Sequence, residues 1–368
     1  METKIMNKSV GLITAISCAL LLLIGRAYAQ NALPTVWTLP PIDCATSAAG
    51  CEIRLSLEAD LYTLYYSENG PQLYVSRQSE GSYRLYSLNP LWVTGAAVEF
   101  IPFSTQNIVI FYSSLNSGTL SRLDLITGEM NLMPQNSEFL RLMPCNTYAA
   151  RTGSQNYISR LGTGSQLLVC SLGGNPLTTI VSIVDATAQT TLRTFDFGVG
   201  WSGEGTGRPW DHLLGGQDGN IYIQSRFGSD WDISQQFPDS LTPLPDWGWR
   251  IFRFESSTGI WSIRNINPEQ MASPNYPPSG NIENNRIVAV LANGDIIYRY
   301  DWEMQDGGEA SEISHYDADF NLVERISSET LGRTADFVGI SADGLMLVQS
   351  GSSLADLSTF QTVKRQRV

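Results

Sequence analysis

The sequence predicts an all-β chain assembled from repeated four-stranded units, and three observations carry that reading. Runs of β-branched and aromatic residues of strand length recur along nearly the whole chain, as in Leu61-Tyr62-Thr63-Leu64-Tyr65-Tyr66 and Ile287-Val288-Ala289-Val290-Leu291. Asn-Gly and Asp-Gly pairs separate such runs where tight hairpins are expected. Beyond residue 29, no stretch shows the 3.6-residue periodicity of an amphipathic helix.

The N-terminus reads as a targeting segment. Lys4 and Lys8 precede an apolar run from Val10 to Gly25, and Ala27-Tyr28-Ala29 supplies a small-x-small cleavage site. Residues 1–29 are therefore expected to be a signal peptide cleaved before Gln30. A run of 16 apolar residues is shorter than the roughly 20 that span a bilayer, so no membrane span is expected after cleavage. Cys18 is discounted as a lipidation site, because the apolar run continues beyond it. Residues 30–368 are then expected to form one domain, working in the periplasm, at the cell surface or in the medium.

Cys44, Cys51, Cys145 and Cys170 remain in the mature chain. An even count in an exported protein reads as two disulfides. Proximity favours Cys44–Cys51 and Cys145–Cys170, although four cysteines allow three pairings.

Two hairpins recur. The first carries Asn69-Gly70, Asp218-Gly219, Asn293-Gly294 or Asp343-Gly344, residue pairs that readily take the positive φ a tight turn demands. The second runs over 123–130, 254–261 and 316–323, each with an acid followed by a polar turn. Two hairpins per unit make four strands per unit, which is one blade of a β-propeller. Asp343-Gly344-Leu345-Met346-Leu347-Val348 and Asn69-Gly70-Pro71-Gln72-Leu73-Tyr74-Val75 resemble the blade motif of bacterial extracytoplasmic propellers of the YVTN and WD40-like kind. The resemblance spans most of 52–364 and implies an architecture without a particular reaction. Units are placed near 58–95, 96–135, 138–197, 208–267, 283–330 and 334–364. That gives about six four-stranded blades, with seven as the alternative because 138–197 holds strands enough for more than one. The spare strand at Cys51–Ser56 is expected to close the ring by joining the last blade.

Composition removes several functions. Without residues 1–29 the chain loses Glu2, Lys4, Lys8 and Arg26, leaving 35 acids and 20 bases, a formal charge of −15. Such a surface repels nucleic acid, whose binding depends on neutralising phosphates. Only His212 and His315 are present, and Lys364 is the one mature lysine. A three-histidine metal centre is excluded and a buried Schiff-base lysine is disfavoured. No nucleophile elbow, phosphate loop or zinc-protease helix occurs. Asp317-x-Asp319-x-Asn321 opens like a calcium loop, but Leu322 and Ser328 stand where glycine and glutamate belong. No metal or cofactor is expected.

Six of nine tryptophans fall between 198 and 261: Trp201, Trp210, Trp231, Trp247, Trp249 and Trp261. Residues 226–249 interrupt the blade pattern as a long inserted loop, the kind of segment that often carries function. Aromatic rings beside acids and guanidinium groups suit sugars, stacking on their faces and binding their hydroxyls. The candidate ligand-binding residues are Trp210, His212, Arg226, Asp230, Trp231, Asp246, Trp247 and Trp249. The alternative is that these rings only pack the loop. His212 with Asp211 or Glu204 could form an acid–base pair; a hydrogen-bonded structural histidine is the simpler reading, and His315 is given no role. The favoured function is an exported binding module for a glycan or a protein partner. The rivals are a hydrolase or lyase using a carboxylate pair and a purely structural envelope protein.

Overall fold

A computed structural model describes residues 37, 40–42, 51–77, 80–93, 98–113, 119–134, 141–142, 158–173, 178–196, 212–226, 249–266, 286–303, 309–326, 335–350 and 360–364. All of them lie within one compact unit, Val36–Val368. Among the described residues no helix is long and apolar enough to cross a membrane.

The chain is a β-propeller of antiparallel sheets, each drawn from one continuous stretch of sequence. The first sheet is β1 (Cys51–Leu55), β2 (Leu61–Ser67), β3 (Gly70–Ser76) and β4 (Tyr83–Ser87). The second is β5 (Val98–Phe103), β6 (Ile108–Ser113), β7 (Thr119–Asp124) and β8 (Met130–Leu132). The third has the path β10 (Ile158–Leu161), β11 (Gln166–Gly173), β12 (Thr178–Asp185) and β13 (Thr190–Asp196), with β9 (Arg141–Leu142) also pairing β11. The fourth is β14 (His212–Gly215), β15 (Ile221–Arg226), β16 (Trp249–Glu255) and β17 (Ile260–Ile266). The fifth is β18 (Arg286–Val290), β19 (Ile296–Glu303), β20 (Glu309–Tyr316) and β21 (Leu322–Ile326). The last is β22 (Ala335–Ile340), β23 (Leu345–Ser350) and β24 (Phe360–Lys364).

Two expectations are corrected. Five blades have four strands, and the last sheet has three among the described residues, so the count of six or seven four-stranded blades does not hold. The strands of 138–197 form a single sheet. The N-terminal strand also does not complete the last blade. It pairs with β2 over five positions, from Cys51↔Tyr65 to Leu55↔Leu61. The reason is local. The Ser56 hydroxyl accepts hydrogen bonds from the Glu58 and Asp60 N–H groups, and Ala59 takes φ 62°, so the chain reverses at once and β1 meets its own neighbour. Closing so short a loop costs far less entropy than recruiting the other end of the chain.

The ring is closed by packing of the innermost strands. β1 neighbours β5, and contacts continue through β10, β14, β18 and β22 back to β1. At that last junction the Ala342 N–H donates to the Leu57 carbonyl at 2.8 Å. Gly339 lies against Leu55 so closely that an added Cβ would stand 3.0 Å from the Leu55 Cβ and 3.3 Å from its carbonyl oxygen. Between sheets lie apolar cores: Tyr62, Leu64, Phe100 and Phe111 join the first two, and Leu168, Val181, Ile223 and Phe252 join the third to the fourth.

The second hairpin behaves as expected, with its acid organising the turn: Asp124 Oδ1 accepts from the Ile126 and Thr127 N–H groups, and Asp185 Oδ1 from those of Thr187 and Ala188. The first hairpin is less uniform than its sequence. Asn69-Gly70 joins the second and third strands of its sheet, whereas Asp218-Gly219, Asn293-Gly294 and Asp343-Gly344 join the first and second. Cys51 and Cys170 are buried, 5% and 0% exposed; Cys44 and Cys145 lie outside the described residues, as do residues 1–29.

Gly339→Val is expected to lower the unfolding free energy by about 1–3 kcal/mol by overpacking the closing junction. Gly164→Ala, where an added Cβ meets nothing within 4 Å, is expected to change it by less than about 0.5 kcal/mol. Chemical denaturation of the two variants checks this.

Candidate functional site

Strand polarity sorts the connections. Within each sheet the first-to-second and third-to-fourth turns fall at one end of the ring, and the second-to-third and sheet-to-sheet connections at the other. The first set is short and largely described. In sequence, the predicted ligand-binding residues lie in or directly border two connections of the second set, 197–211 and 227–248. β14 begins at His212, β15 ends at Arg226 and β16 begins at Trp249, all at this end of the fourth blade. Arg226 and Trp249 face each other across the β15–β16 pair, and His212 is opposite Gln224 in β15. Trp210, Asp230, Trp231, Asp246 and Trp247, with Asp211, Glu204 and Trp201, lie outside the described residues. Trp261 is a packing residue: its ring lies 4.7 Å from that of Phe254 and leans on the core between the third and fourth blades.

His212 is only 4% exposed. Burial pushes its imidazole down to about 3; the Arg286 guanidinium adds to the fall, and a hydrogen bond with the Ile287 backbone opposes it. Nδ1 has no hydrogen-bond partner among the described residues. The ring is thus held neutral in the junction between the fourth and fifth blades, which suits a structural histidine better than a proton carrier near pH 7.

Other candidates are occupied by the fold. His315 Nε2 lies 2.8 Å from Asp295 Oδ2, joining a second-hairpin strand to a first-hairpin turn at the opposite end of the ring. Asp317 Oδ1 accepts from the Asp319 and Asn321 N–H groups, and Oδ2 from the Asn321 carboxamide at 2.9 Å. Those bonds hold its carboxyl below the usual range and commit both oxygens to the turn. Among the described residues no group of three His, Cys, Asp or Glu side chains could hold a metal ion.

The sequence did not single out the polar residues that join the inner strands of neighbouring blades. Glu99 Oε2 accepts from the Ile158 N–H at 3.1 Å, while its other oxygen lies 3.8 Å from Arg54, which binds Glu52 at 2.7 Å. The Ser159 hydroxyl accepts from the Gly215 N–H at 2.9 Å, and Gln224 Oε1 from the Ile287 N–H at 3.0 Å. Each cap serves an inner strand of the next blade. A lone Glu in Val98-Glu99-Phe100-Ile101 was the only available hint.

No protein-family model matches the sequence, and no curated protein matches it. Among solved structures the chain is similar to the β-propeller domain of the Trilobed protease from Pyrococcus furiosus, at 11% identity and a TM-score of 0.43, over 82% of this chain and 78% of that one. It is similar to Kuenenia stuttgartiensis hydrazine synthase at 10% identity and 0.45, over 86% and 84%. The Dos1 propeller gives 11% and 0.36, over 85% and 66%. These likenesses concern the fold alone.

Between the ordinary imidazole value of about 6.5 and the folded value of about 3, the unfolded chain binds a proton that the folded chain does not. The stability linked to His212 is present above pH 6.5 and is lost as pH falls through that window. The decline in unfolding free energy from pH 7 to 5 is expected to be smaller in His212→Gln, measured by urea titration at both values.

Proposed function

We propose that the protein is an exported binding module that presents the loop-bearing end of its fourth blade to a glycan. The observation that carries the reading is topological. Arg226, Trp249 and His212 open or close strands at one end of one blade, and the chain between 226 and 249 adds Asp230, Trp231, Asp246 and Trp247 from the same hairpin. Tryptophan supplies a flat apolar surface with a polar edge, and acids and arginine supply acceptors and donors for hydroxyls.

Export is supported by the layout of residues 1–29 and by the cysteines. We assign the pairs Cys44–Cys51 and Cys145–Cys170. Cys51 and Cys170, one from each pair, are both buried. Leu142 is opposite Ser171, the residue after Cys170, and Cys145 follows Leu142 by three residues in the sequence. Thiol titration of the denatured, unreduced mature protein is expected to detect no free thiol; two or four would overturn the pairing.

The function is tested by tryptophan-fluorescence titration of the mature protein against soluble cell-wall and plant glycans. A saturable change with at least one glycan is expected, weakened at least roughly ten-fold by Trp231→Ala or Trp247→Ala, since stacked aromatic anchors dominate such sites. A flat response across the panel would overturn the glycan reading.

A further inference from the structure

The junction between the fourth and fifth blades differs from its neighbour in what it buries. The third–fourth junction is apolar, built from residues such as Leu161, Leu213 and Phe252. The fourth–fifth junction buries the hydroxyls of Tyr298, Tyr300 and Tyr316 among its apolar residues. Ser314 and Glu312 are the direct cross-strand partners of Tyr298 and Tyr300, and both are buried. The seam is joined to the fourth blade at Tyr298, whose hydroxyl bonds Gln224 two residues before the end of β15.

Gln224 links the two sides. It is 1% exposed, and its Oε1 accepts from the Ile287 N–H at 3.0 Å while its Nε2 donates to the Tyr298 hydroxyl at 3.2 Å. His212, opposite Gln224 in register, bonds the backbone of the same Ile287. The inner strand of the fifth blade is therefore gripped at one residue by two side chains of the fourth. A neutral carboxamide is suited to this, offering an acceptor and a donor from one buried group. Arg226 follows Gln224 by two residues on β15 and stands opposite Trp249.

We infer that Gln224 is the positioning residue of the tryptophan-bearing end of the fourth blade. It fixes the fifth blade's inner strand against β15 and thereby sets the separation of the two blades where β15 ends and β16 begins. Its consequence for glycan binding rests on the function proposed above; its consequence for the unliganded protein does not. Gln224→Met keeps the length and removes both hydrogen bonds. Ser159→Ala removes the corresponding cap at the third–fourth junction, where Ser159 holds the Gly215 N–H, and serves as the control for general weakening of the ring.

The experiment compares mature wild type, Gln224→Met and Ser159→Ala by near-UV circular dichroism, by amide exchange at Ile287 and Gly215, and by titration with the glycan showing the largest fluorescence change. Gln224→Met is expected to speed exchange at Ile287 roughly ten-fold, as one lost buried hydrogen bond allows, and to alter the tryptophan bands. It is expected to weaken the glycan roughly five-fold, while Ser159→Ala speeds exchange at Gly215 and leaves tryptophan bands and affinity within roughly two-fold of wild type. Equal effects of both variants on the tryptophan bands, or no effect of Gln224→Met on them, would overturn the inference. If wild type takes up no glycan, the functional proposal fails, and the circular dichroism and exchange still decide the role of Gln224.

Discussion

Everything in this molecule depends on how the innermost strand of each sheet is finished. Each inner strand pairs with only one neighbour in its own sheet, so one row of its backbone groups would face the ring axis unpaired. Those groups need partners. The fold supplies them from the adjacent blade: Glu99 for Ile158, Ser159 for Gly215 and Gln224 for Ile287. Backbone bonds between successive turns add to the grip, from Gly162 to Gly216, Gln217 to Val290 and Ala342 to Leu57. The ring holds because neighbours complete one another, and among the described residues no strand is exchanged between its ends.

That mode of closure leaves the two ends of the molecule built differently. The end carrying the short turns is fixed by side chains already engaged in them, as Asp124, Asp185 and Asp317 are. The opposite end receives the long connections, where length is tolerated because the strands beneath are held by their junctions. The connection between β15 and β16 leaves and returns there, and Gln224 stands two residues before the end of β15. Closure by junctions also fits His212, which the sequence reads most simply as a hydrogen-bonded structural residue and which is neutral and buried: its ring serves the junction.

The sequence revealed what is local. The strands and the Asp218-Gly219, Asn293-Gly294 and Asp343-Gly344 turns are legible because a hairpin is encoded in consecutive residues. The destination of β1 was not legible. It is decided by a turn at Ala59 that lacks the usual glycine or asparagine, so the strand looked unclaimed. Asn69-Gly70 misled in the other direction, since the dipeptide marks a hairpin without saying which strands it joins. The caps at Glu99 and Gln224 were beyond reach, because their partners stand 59 and 63 residues away and no periodicity connects them. For the candidate site, the sequence placed Arg226 and Trp249 at the two ends of one inserted loop and His212 at the start of an inner strand; β15 ends at Arg226, β16 begins at Trp249 and β14 begins at His212. It gave no sign that Trp261 packs on Phe254.

The most direct test of the account is native-state amide hydrogen exchange on the mature protein, read at Ile158, Gly215, Ile287 and Ala342. If the ring is held by junctions between inner strands, these four amides are expected to exchange only through openings near the free energy of global unfolding. Exchange at these positions as fast as in the exposed turn at Thr127 and Gly128 would contradict it, and would mean that the blades are held by their apolar faces alone.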